Sequence, residues 1–117
     1  MARGVPIILR DIIQAIDGIE AAVNRKTFEE FADDWLVKHG VQRGIEIISE
    51  AARHLPDTML AAHPDVPWRQ IRGAGNVLRH EYHRVSDRII WSVVTEHLSP
   101  LRTAVEQMIV ELGGDAA

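Results

Sequence analysis

Apolar residues recur at three- and four-residue steps along most of the chain, and no stretch alternates as a half-buried strand would. Ile8, Ile12, Ala15, Ile16, Ile19 and Val23 trace one stripe, which predicts an amphipathic helix over Ile7–Val23. Asn24 to Thr27 interrupts the pattern. Thr27 and Glu30 then match a capping box, in which a threonine oxygen and a glutamate satisfy each other's helix-terminal amides. The run FEEFADDWLVKHGVQRGIEIISEAARHL predicts a short helical piece followed by a long helix from about Asp33 to Leu55. Gly40 and Gly44 lie four apart on one face of it, and each costs about 1 kcal/mol against alanine inside a helix. They mark either a close approach by another helix or a local break. Pro56, Pro64 and Pro67 bracket a connection with one helical turn at Asp57–Ala62. Pro67 suits the first turn of a helix running to about Arg84, because its missing amide hydrogen would be unpaired there anyway. Ser86 and Asp87 can cap the last region, which Pro100 is expected to divide into a short helix and a final one ending at Gly113. The remaining GGDAA reads as a frayed tail. The pattern as a whole predicts an all-α fold, an antiparallel up-and-down bundle of four to five helices.

Composition narrows this picture. A chain of 117 residues suits one domain, 1–117, and buries roughly two thirds of its unfolded surface without staples. The absence of cysteine removes disulfides, thiol catalysis and thiolate metal sites. The apolar run in MARGVPIILRDII is too short for a signal sequence or a membrane span, so a soluble cytoplasmic protein with no membrane association is expected. The net charge of −4 argues against a protein that coats nucleic acid generally. Between Trp68 and Arg84, however, four Arg stand against one Glu, so that segment carries +3 and the rest of the chain −7. A basic island in an acidic chain points to a localised anion site.

That island is WRQIRGAGNVLRHEYHRVSD. Wound at about 100° per residue, it places Arg69, Arg72, Asn76, Arg79, His80 and His83 in one stripe, with Ile71, Ala74, Leu78, Tyr82 and Val85 opposite. Cleaving RNA without a metal needs a base for the 2′-hydroxyl, an acid for the leaving oxygen and a cation for the charged phosphorane. Histidine supplies either proton role, since an imidazole pKa near 6.5 leaves both forms populated near neutrality. Arginine supplies the cation through its fixed fork of donors. The alternative is an ordinary solvated polar face. A metal site would start from His80 and His83, but no third ligand has the right spacing, so neither a metal nor another cofactor is expected. Gly73 to Gly75 follow no strand, which excludes a phosphate-cradling loop and suggests close approach by another backbone or a partner helix. Trp35, Trp68 and Trp91 have no ladder spacing and read as core or interface anchors.

The same segment resembles the signature of the HEPN superfamily, specifically its HepT-like branch. That signature reads Arg, four residues, His, one residue, Tyr, usually with Asn after the Arg and a Trp-Arg pair upstream. Trp68-Arg69, Ile71, Asn76, Leu78, His80 and Tyr82 fall in place. GIEIISEAARHLP at Gly44–Pro56 is similar to the branch's second-helix pattern, and RVSDRIIWSVVTEHLSPL to the start of its fourth helix. The resemblance implies a HEPN-like bundle and a metal-independent ribonuclease toxin acting as a homodimer around a shared cleft. It also implies a nucleotidyltransferase antitoxin partner, which in some systems adds AMP to the motif tyrosine, here Tyr82. Carried over, His80 is the acid–base residue, and Asn76 orients it or binds phosphate.

One position departs from the signature: Gly75 stands where the family carries its Arg. Arg72 and Arg79, each within about 60° of Gly75 on the wheel, are the candidate replacements. Arg69 and His83 are candidate substrate-binding residues. The absence of a side chain at Gly75 is expected to serve a tight dimer contact. Two readings follow: an RNase cleaving at a dimer-interface site built on the His80 helix, or an impaired module binding RNA, a nucleotide or the nucleotidyltransferase partner. Tyr82, on the apolar side, is either a modification site or a core tyrosine.

Overall fold

The computed structural model describes residues 4–81, 83 and 85–113, and every regular element among them is helical. In chain order these are α1 (Val5–Val23), α2 (Phe28–Asp33), α3 (Trp35–Arg53), α4 (Asp57–Ala61), α5 (Trp68–Glu81), α6 (Asp87–Ser92), a π-helical turn (Val93–His97) and α7 (Leu98–Glu111). The fold is all-α, and its long members pack as a helical bundle. The expected tail from 114 onward lies outside the described residues.

Local signals account for most boundaries. Asn24 closes α1, and Arg25 after it takes a left-handed φ of 62°, which turns the chain off the helix axis. The capping box forms as the spacing requires. Thr27 Oγ1 accepts from the Glu30 amide at 3.1 Å, and Glu30 Oε1 accepts from the Thr27 amide at 2.9 Å. Asp34 separates the short helix from the long one and caps α3 by accepting from the Val37 amide at 3.0 Å. Ser86 caps α6 in the same way, through the Ile89 amide.

Pro100 does not divide the last region as the sequence suggests. The helical path runs from Asp87 to Glu111 without interruption, and the turn just before the proline widens to π geometry. A proline inside an α-helix lacks an amide donor and presses on the carbonyl four residues back, and widening the preceding turn relieves both. The buried residues Ile90, Val94 and Leu98 favour the same solution. Steps of four residues drift by about 40° each round an α-helix, and a wider turn brings them back into line.

α3 is central. It packs antiparallel to α1 on one side and to α5 on another, while α7 closes over α1. Ile8, Leu9, Ile12 and Ile16 of α1, Phe31 of α2, Val41 of α3 and Val105 and Met108 of α7 are fully buried together. Trp91 fills the gap beside α2, with its ring 5.2 Å from that of Phe31. Arg102 of α7 donates to Asp17 and, at 2.8 Å, to Glu20 of α1. The hydrogen bond to Asp17, followed by Glu20, holds this guanidinium above the ordinary arginine range against the opposing effect of burial.

Of the two glycines on α3, neither breaks the helix. A side chain begun at Gly44 would lie 2.7 Å from Ile19 Cγ1 and Cδ1, so that glycine lets α1 and α3 cross closely, whereas Gly40 faces open space. No helix among the described residues is long and apolar enough to cross a membrane.

Candidate functional site on the fifth helix

α5 is held against the core by its apolar side. Trp68 and Leu78 are buried, and the Trp68 indole donates to the His63 carbonyl at 3.0 Å. Ile71, Ala74 and Val85 are half-buried against the same core. The Tyr82 ring, whether core or modified, lies outside the described residues, as does Arg84. Of the tryptophans, Trp68 and Trp91 pack on the core, while Trp35 is 68% exposed and stacks on His39.

Gly75 faces α3. It is buried, and a Cβ added there would lie 3.0 Å from Ser49 Oγ and 3.2 Å from Ser49 Cβ. The Ser49 hydroxyl accepts from the Gly75 amide at 2.9 Å and donates to the Arg72 carbonyl at 3.0 Å. One hydroxyl thus stitches α3 to α5. The expectation that Gly75 serves a dimer contact is corrected in one respect: the close neighbour is α3 of the same chain. Gly73 has open space around it.

This contact divides the polar stripe. About 140° separates position 75 from position 80 on a helix, so with Gly75 turned inward His80 points outward. His80 is exposed, with Asn76 and Arg69 exposed beside it, and His83 is exposed just past the end of the helix. Arg72 and Arg79 turn towards α3 instead. Arg72 is half-buried and bound at both ends of its fork: Nη1 lies 3.4 Å from Asp57 Oδ1, and Nη2 donates to the Arg53 carbonyl at 3.2 Å. Arg79 folds back along the helix, so that its Nη1 would be 3.3 Å from a Cβ at position 75. The structure therefore groups Arg69, Asn76 and His80 on one surface and turns the two candidate replacement arginines onto the adjoining flank, towards α3.

Arg79 opens into a cleft of about 390 Å³ between α1, α3 and α5. Asp11, Arg43, Glu46, Glu50 and His54 share it. Arg43 pairs with Glu46 at 3.2 Å, and His54 Nε2 lies 3.1 Å from Glu50 Oε2. Since a carboxylate only accepts, that contact puts a proton on Nε2. Neither Ser49 nor the Glu50–His54 pair stood out from the motif. The available signal was Ser49 itself, a polar residue in the otherwise apolar row Ile45, Ile48 and Ala52. Among the described residues no group of three or more metal-ligating side chains could hold a metal ion.

Comparison with known proteins identifies the family. Residues 12–108 match the family described as "Ribonuclease HepT-like". The chain is 33% identical over 108 residues to a "Probable ribonuclease HepT" of Thermococcus cleftensis, covering 92% of this chain and 98% of that protein. A protein of Caldanaerobacter subterraneus subsp. tengcongensis that carries an RNase name is 33% identical over 101 residues, with 86% and 90% covered. One from Methanocaldococcus jannaschii, also with an RNase name, is 28% identical over 104 residues, with 89% and 95% covered. No solved structure matches significantly. With the family match spanning most of the chain, and a relative 33% identical over nearly the whole of both chains, this protein belongs to the HepT-like family of the HEPN superfamily.

Proposed function

We propose that the chain is a single-domain, metal-independent endoribonuclease of the HepT type, a cytoplasmic toxin held in check by a nucleotidyltransferase antitoxin. The observation that carries the reading is the exposed His80 on the outward face of α5, with Asn76 one turn before it, in a chain whose relatives bear ribonuclease names. An exposed imidazole is free to approach an RNA strand and to move a proton. In the reaction the 2′-oxygen gives up its proton and attacks phosphorus. The bond from phosphorus to the 5′-oxygen breaks, and that oxygen takes a proton as it leaves. The products are a 2′,3′-cyclic phosphate and a 5′-hydroxyl. His80 serves one of the two proton transfers, Asn76 orients it or binds phosphate, and Arg69 and His83 hold flanking phosphates. Tyr82 is the place for silencing by AMP.

The protein acts as a homodimer in which two α5 faces meet about a two-fold axis. Val77 supports this reading: it is 41% exposed beside the outward face, about 60° round the helix from His80, an apolar residue next to the polar stripe.

The test is incubation of the purified, partner-free protein with RNA in excess EDTA, alongside His80→Ala, with the product ends analysed. Wild type is expected to leave cyclic or 3′-phosphate ends, and His80→Ala to lose on the order of 10² to 10⁴ in rate. Equal cleavage by both proteins would remove His80 from the mechanism. A second reading, a non-catalytic module binding RNA, a nucleotide or the nucleotidyltransferase, is favoured by one observation: the motif arginine position is a glycine closed off by Ser49. It predicts RNA binding without cleavage by either protein.

A further inference from the structure

We infer that Arg79, and not Arg72, supplies the cation that meets the scissile phosphate, from the cleft over Gly75. This rests on the ribonuclease reading above.

The two arginines flank Gly75 symmetrically on a helical wheel, but the structure commits them to different work. Arg72 donates to the carbonyl of Arg53, the last residue of α3, and pairs with Asp57 at the start of α4. The final carbonyls of a helix have no partner within it, so Arg72 caps α3 and fastens the turn that follows. Releasing it to meet a phosphate would reopen that helix end. Arg79 has no such duty. Among the described residues no carboxylate or carbonyl binds its guanidinium, while the other nitrogen groups of its cleft, on Arg43 and His54, face Glu46 and Glu50.

Its position follows from three local facts. Helical side chains lean towards the N-terminus, so a residue four places after Gly75 returns over it. Gly75 has no side chain to obstruct the return. Ser49 opposite is small, and its hydroxyl is occupied by the α5 backbone. The Arg79 guanidinium therefore lies within 3.3 Å of where a side chain at 75 would begin. The charge missing from position 75 is restored from one turn further along the same helix. Arg79 exchanges no proton in the reaction. It remains a cation and donates two N–H groups to the non-bridging oxygens as their charge grows.

The experiment compares cleavage of a short RNA in excess EDTA by wild type, Arg79→Ala, Arg79→Lys and Arg72→Ala, with the melting temperature of each. Arg79→Ala is expected to fold as wild type and to lose on the order of 10² to 10³ in kcat/KM. Its salt dependence of binding to single-stranded RNA should fall by about 0.7 in log–log slope, the loss of one phosphate contact. Arg79→Lys, which keeps charge but not the fork, should recover binding more than turnover. Arg72→Ala should show the lower melting temperature and the smaller catalytic loss. Cleavage by Arg79→Ala within threefold of wild type would overturn the inference, as would a larger loss in folded Arg72→Ala. An inactive wild type would overturn the ribonuclease reading itself, and this inference with it, a result distinguished by the missing baseline.

Discussion

The two faces of α3 meet their neighbours across a glycine, and the two crossings differ in kind. Towards α1, Gly44 receives Ile19, and the contact is apolar on both sides. Towards α5, Gly75 receives Ser49, and the contact is a pair of hydrogen bonds to backbone. The first crossing can only be tighter or looser. The second aligns α5 in rotation, because one hydroxyl must reach an amide at 75 and a carbonyl at 72 together. That rotation decides which members of the polar stripe face outward with His80 and which turn into the cleft with Arg79.

The largest effect is expected where the apolar crossing is overfilled. Gly44→Val forces new methyl groups against Ile19, already 2.7 Å from an added Cβ. A loss of about 3 kcal/mol is expected in denaturant unfolding, and a change below about 0.5 kcal/mol would show that α1 moves aside freely.

Next is Gly75→Arg, which sets a side chain against Ser49 and should cost about 2 kcal/mol. Here the neighbour can be removed. Ser49→Gly with Gly75→Arg should regain most of the loss and bring the family's motif arginine into the site, raising cleavage above wild type. If the double variant is no more stable than Gly75→Arg alone, Ser49 is not what closes position 75.

The smallest change is Ser49→Ala, which keeps the packing and removes only the hydroxyl. About 1 kcal/mol is expected, with faster amide exchange at Gly75 as the local readout. Unaltered exchange there would reduce this crossing to the same kind as the other.

Much of the bundle is legible in the sequence, and the reasons are local. α1 announces itself by Ile8, Ile12, Ile16 and Ile19, and α2 by a capping box that needs only Thr27 and Glu30. The family signature is equally compact, lying within Trp68 to Tyr82. What could not be read depends on partners distant in sequence. Gly75 is explained by Ser49, 26 positions earlier, and no wheel drawn on α5 alone reveals which edge of its polar stripe another helix covers. Arg72 and Arg79 look equivalent until the end of α3 occupies one of them. Pro100 misleads for a different reason. The rule that proline ends a helix assumes α geometry throughout, and the chain keeps going by widening one turn.

The Ser49–Gly75 contact also bears on how such a site can be altered by stepwise substitution. An arginine acquired at 75 while serine remains at 49 begins in a tight contact, its Cβ 3.0 Å from the serine oxygen, whereas glycine at 49 first gives an intermediate with neither side chain, which loses the two hydrogen bonds of that hydroxyl. The two orders of change reach the same pair by unequal routes. A mutational history that passes through the glycine–glycine state is open in both directions, and the route through arginine facing serine requires Ser49 to give way by a few tenths of an ångström.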